Sequence, residues 1–63
     1  MAKLTRFQRS LNAHERLVNF HEKNNNRRLS SYHVEVYNKQ LNRGSILSRR
    51  ERRKIYNGWV KSR

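Results

Sequence analysis

The chain has 63 residues, no cysteine, no proline and no aspartate, and sixteen Lys and Arg against four Glu give it a formal charge of +12. That length allows a single domain over 1–63 with a thin core, and no disulfide can staple it. No apolar run approaches the roughly twenty residues of a membrane span, and no signal-peptide pattern opens the chain.

The basic residues are eleven Arg and only five Lys. Arg presents a planar fork of donors that fits phosphate oxygens and also stacks on bases, whereas a surface built for solubility mixes the two signs. A polyanionic partner would relieve the self-repulsion of so unbalanced a chain, so nucleic acid is the expected principal partner. The absence of cysteine fits a reducing compartment, and the expected location is intracellular, cytoplasmic or nucleoid-associated. The first twenty residues are amphipathic, Arg-containing and poor in acid, like a transit peptide. Without them too little chain would be left to build a core, so they are read as structure. A helix lying on anionic lipid is the less favoured use of such faces, and no membrane partner is expected.

The first element opens with Thr5-Arg6-Phe7-Gln8, a capping box preceded by Leu4. Leu4, Phe7, Leu11, His14, Val18 and His21 recur on one helical face with Leu17 at its edge, while Arg9, Arg16 and Lys23 recur at seven-residue spacing opposite. Asn24-Asn25-Asn26 should end this helix near residue 24, because Asn competes with helical backbone bonds and tolerates the left-handed cap.

The second element is expected as a helix near 30–42, N-capped by Ser30 or Ser31 after a basic loop at Arg27-Arg28 and stopped by Gly44. It aligns Val34, Tyr37 and Leu41, with Glu35 and Lys39 as an i,i+4 pair. The alternation of Val34 and Val36 with His33, Glu35 and Tyr37 also suits a half-buried strand over 32–37, but nothing obvious would pair with it except Gly44-Ser45-Ile46-Leu47. Ile46 and Leu47 should plug the core.

The third element, near 48–61, starts with a second capping box, Ser48 and Glu51. Ile55, Tyr56, Trp59 and Val60 form its apolar arc; Arg50, Arg53, Lys54, Asn57 and Lys61 form a cationic outer arc. Gly58 weakens that outer side by up to about 1 kcal/mol relative to Ala. The expected core draws on Phe7, Leu11, Leu17, Val18, Val34, Tyr37, Leu41, Leu47, Ile55, Tyr56 and Trp59. Phe20 and Tyr32 lie off these faces and are candidates for stacking or docking. Residues 1–3 and 61–63 are expected to be mobile.

Catalytic chemistry finds little support. The four Glu are spread over three elements among many cations, which favours the ionised form. "HERLVNFHE" differs from a zinc-protease helix, which needs its second His where this chain has Val18. No enzyme, metal site or cofactor is expected, and His14 and His21 are read as edging the core.

The run Leu47-Ser48-Arg49-Arg50-Glu51 resembles the cap of the first helix in the response-regulator type of helix-turn-helix domain. Sixteen residues follow Leu47, too few for the scanning and recognition helices, so the resemblance brings no site residue with it.

The expected fold is therefore all-α, a small three-helix domain with a helix-turn-helix-like arrangement of its last two helices, completed by dimerisation or a partner if the core proves too thin. Its expected function is nucleic-acid binding as a DNA-binding regulator. Arg27, Arg28, Arg49, Arg50, Arg53, Lys54, Asn57 and Lys61 would form the interface, and Arg9, Arg16 and Lys23 a second basic surface. The alternatives are an RNA- or ribosome-associated protein, with RNA gripped over all three helices, and a small inhibitor docking on an acidic surface of a nucleic-acid-processing enzyme.

Overall fold

A computed structural model describes residues 3–61. Three helices, α1 (Arg6–Lys23), α2 (Arg27–Arg43) and α3 (Arg49–Tyr56), are followed by a π-helical turn over Asn57–Lys61. Residues 32–37 are helical, and there is no strand among the described residues. Most of the two terminal segments expected to be mobile, 1–2 and 62–63, lies outside the described residues.

Local chemistry sets each boundary. Thr5 Oγ1 accepts the Gln8 N–H at 3.1 Å, and the Gln8 side chain accepts the Thr5 N–H at 3.0 Å, closing the first capping box. At the far end the three asparagines divide the work of reversing the chain. Asn24 caps α1, its Nδ2 donating to the Phe20 carbonyl at 2.8 Å. Asn25 turns the backbone at φ 60°, in the left-handed region that Asn tolerates. Asn26 then caps α2 by accepting the Leu29 N–H at 3.2 Å. Helix α2 thus begins one turn before the expected Ser30 or Ser31, and Arg27 and Arg28 are its first residues rather than a loop. Gly44 closes it at φ 78°, a conformation that favours glycine.

Helix α2 is the centre of the fold. Helix α1 lies along one side of it, α3 and the π turn pack on it from another, and α1 and α3 do not pack on each other. The molecule measures 43 × 26 × 16 Å, a plate too thin to enclose much. Among the described residues the buried apolar ones are Val36, Leu47 and Ile55, with Tyr32 packed against them. They sit at the corner where the 44–48 connection brings α3 back to α2.

The face that α2 buries is not the expected one. Ser30, His33, Val36 and Gln40 are buried, whereas Val34, Leu41 and, on other elements, Leu17 and Trp59 are 38–53% exposed. Polar residues point inward because they satisfy each other. Gln40, with no exposed surface, donates from Nε2 to Ser10 Oγ at 3.1 Å and accepts the Leu47 N–H at 3.3 Å. His14 Nδ1 and His33 Nδ1 lie 3.0 Å apart, so one ring donates and the other accepts. A buried polar pair whose bonds are made costs little, so helical phase, not hydropathy, decides which α2 residues face α1. On α1 the expectation holds better: His14 is buried, and Phe7, Leu11, Val18 and His21 are half-buried.

Candidate nucleic-acid interface

Helix α3 is eight residues long and six of them are charged, so its position depends on anchors at both ends. At its start Ser48 Oγ accepts the Glu51 N–H at 3.2 Å, and Glu51 accepts the Ser48 N–H at 2.9 Å. The same carboxylate takes a two-pronged bond from Arg43 at the end of α2, with Nη1 to Oε1 at 2.9 Å. The Arg43 guanidinium, with help from the Ser48 N–H, pulls the Glu51 carboxyl down to about 2. Farther along, buried Ile55 pins α3 to Val36 and Leu47. One helix is thereby fixed by a cap, an ion pair and an apolar plug.

These anchors leave a shallow groove of about 330 Å³ along α3, lined by Tyr32, Arg49, Arg52, Arg53 and Tyr56. Arg49, Arg52, Arg53 and Tyr56 follow i, i+3, i+4, i+7 spacing, which puts them on one helical stripe. Tyr32 reaches in from α2 and meets Tyr56 edge to face, with ring centroids 5.4 Å apart. Among the described residues, no carboxylate lines this groove. Of the four Glu, Glu51 is taken by Arg43 and Glu35 by Lys39 at 3.5 Å, both away from it. The Nε of Arg52 is buried with no hydrogen-bond partner among the described residues, so packing rather than an acidic neighbour holds this guanidinium. Its uncompensated charge reaches His14, whose pKa is lowered first by burial and then by Arg52.

Of the residues expected to form the interface, Arg49 and Arg53 line this groove. Arg50, Lys54, Asn57 and Lys61 are exposed outside it, and Lys54 borders a separate groove beside Trp59. Arg27 lies in a third recess on the α2 side, also bordered by Trp59, while Arg28 is exposed. Arg9, Arg16 and Lys23 are exposed on α1 and share no groove with the α3 arginines. Sequence reading missed Arg52 and placed Tyr56 in the core. The signal for both was present in the spacing of Arg49, Arg52, Arg53 and Tyr56, a stripe adjacent to the outer arc that was chosen instead.

Histidines cluster between α1 and α2: the His21 and His33 rings stack with centroids 5.3 Å apart, next to the His14–His33 bond. Among the described residues, no three of His, Cys, Asp and Glu converge where they could hold a metal ion. No helix is long and apolar enough to cross a membrane, again among the described residues. Comparison with protein-family models, with curated proteins and with solved structures finds no match to this chain.

Proposed function

We propose that the protein binds nucleic acid, chiefly through phosphate contacts in the α3 groove. The observation that carries this reading is the groove's lining, three arginines and two tyrosines with no carboxylate among the described residues. Three guanidinium forks beside aromatic rings suit a sugar-phosphate chain, since forks match phosphate oxygens and rings accept sugars and bases. An overall charge of +12 adds long-range attraction to any polyanion.

The DNA-binding regulator expected from the sequence becomes the second reading, favoured by the exposed Arg53 and Asn57 on the outer side of α3 and its turn. In that version α3 enters a major groove and these side chains reach base edges, as in a helix-turn-helix protein. The short α3, fastened at both ends, suits a surface groove better than a helix that projects far into DNA.

Titration of a labelled oligonucleotide at several salt concentrations tests the phosphate reading. Three groove contacts predict a slope of log K against log[salt] between about −2 and −3. Affinity that hardly changed between about 50 and 200 mM salt would overturn it.

A further inference from the structure

Trp59 is the only tryptophan of the chain, and 43% of its surface is exposed. A residue of this size usually lies inside so small a domain. Here it stands in the π-helical turn, which packs against α2. Its Nε1 donates to Glu35 Oε1 at 2.6 Å, so the ring is held in one orientation although it is not buried. Lys39 pairs with the other oxygen of the same carboxylate.

The indole borders two open recesses. One, of about 610 Å³, runs over α2 past Val34, Asn38, Lys39 and Asn42 toward Arg27. The other, of about 340 Å³, lies beside Lys54 and Ile55. Asn38 and Asn42 make no side-chain hydrogen bond among the described residues, which leaves two amide groups free to meet a polar edge. The charge pattern is selective. Glu22 and Glu35 also line the larger recess and match Arg27 and Lys39 there, so it carries no excess of positive charge and suits a neutral base better than a phosphate. Arg27 and Lys39 line it, and Lys54, from the cationic outer arc of α3, borders the smaller recess beside the same indole.

We propose that Trp59 is a stacking platform for an unpaired base, which makes the ligand single-stranded or looped nucleic acid rather than uninterrupted duplex. This rests on the phosphate-binding reading of α3. The backbone would cross the cationic arc, and one base would turn into the recess and lie on the indole. In a duplex the faces of the bases are covered by their neighbours and cannot reach it. An acidic protein would present carboxylates to Glu22 and Glu35, so it fits this recess less well.

The test uses the fluorescence of the single tryptophan in the intact protein. Three probes are titrated: a single-stranded 12-mer, its duplex, and inorganic polyphosphate, which has the charge but no bases. The single strand is expected to quench Trp59 and to bind at least tenfold more tightly than polyphosphate. Duplex and polyphosphate should bind with little quenching. Trp59→Leu should weaken the single strand about tenfold, leave polyphosphate unchanged, and keep its helical circular dichroism, while Trp59→Phe recovers most of the loss.

Equal affinity for the three probes without quenching would overturn the stacking site while the phosphate groove stood. Loss of affinity for polyphosphate and single strand alike in Trp59→Leu would also overturn it, since the residue would then be structural. Failure of all three probes to bind, with polyglutamate binding in their place, would sink this inference and the proposed function together.

Discussion

Between α1 and α2 buried side chains meet polar partners: Gln40 bonds to Ser10, and His14 bonds to His33. Between α2 and α3 the buried groups are apolar, Val36, Leu47 and Ile55, with an ion pair at the rim. Two interfaces on one central helix therefore depend on different physics. The first is held by matched donors and acceptors and should respond to protonation. The second is held by removal of apolar surface from water and should respond to lost volume. Because the arginine groove is built on α3, the apolar corner carries the site, and the polar seam supports it only through α2.

The corner should break most easily by truncation. Leu47 is 2% exposed and belongs to the one buried apolar cluster with Val36 and Ile55, so Leu47→Ala should cost about 3 kcal/mol and lower Tm by more than about 10 °C. For a domain of this size that is a large part of the total stability. A change of only a degree or two in thermal denaturation would mean that the corner is not where the fold is held.

Gln40 joins the two regions, since it bonds to Ser10 on α1 and to the Leu47 backbone at the corner. Gln40→Ala leaves the Leu47 N–H and Ser10 without these partners, and should cost about 2 kcal/mol. If Gln40→Leu proved as stable as the parent chain, the bonds would matter less than the side chain's volume.

These two residues also show what was readable in advance. Of Ile46 and Leu47, both expected to plug the core, Leu47 does so beside the cap of α3, while Ile46 is 41% exposed. The capping boxes and the asparagine reversal were equally legible, since each is a local bond between residues a few positions apart. Gln40 was not legible as a core residue. Nothing local marks it, and its burial is justified by two bonds that only the fold supplies, to Ser10 thirty positions away and to the Leu47 N–H. The same reasoning explains Val34 and Leu41. They were assigned inward by hydropathy, while the inward phase of α2 was set by His33 and Gln40 finding partners on α1. The charge of α3 was evident from the sequence, but the groove needed Tyr32, which only the folding of α2 onto α3 supplies.

Acid separates the two regions by window. Burial lowers the His33 pKa from 6.5 to about 4, with the charges of His14 and His21 adding to it. The unfolded chain therefore binds more protons than the folded one between about pH 6.5 and 4, and stability falls as pH drops through that range. A second proton on the His14–His33 pair also turns its acceptor into a donor and breaks the bond. Lowering pH from 7 to 4.5 should reduce Tm by on the order of 5 °C, and His33→Gln should flatten that slope. At the corner the sign runs the same way but lower. Glu51 is held at about 2 against an ordinary 4.5, so its contribution is intact above 4.5 and lost only as pH falls toward 2. A titration in which His33→Gln kept the full slope between pH 6.5 and 4.5 would remove the seam as the acid-sensitive part.

Arg43→Gln should have the smallest effect. The pair with Glu51 is exposed, and such pairs contribute little and less in salt. Thermal denaturation at low salt should show a loss of a few degrees at most, shrinking toward zero near 1 M salt, while Ser48 and Ile55 keep α3 in place.

The site itself is tested most directly by moving charge loss between the corner and the seam side of the molecule. Replacing Arg49, Arg52 and Arg53 by Gln removes the groove's charge, and replacing Arg9, Arg16 and Lys23 by Gln removes the same charge from α1. Both variants should keep the helical circular dichroism of the parent. Measured by anisotropy of a labelled single strand at about 100 mM salt, the α3 variant should bind at least tenfold more weakly, and the α1 variant should lose distinctly less. Equal losses, or a greater loss from α1, would contradict a nucleic-acid site in the α3 groove.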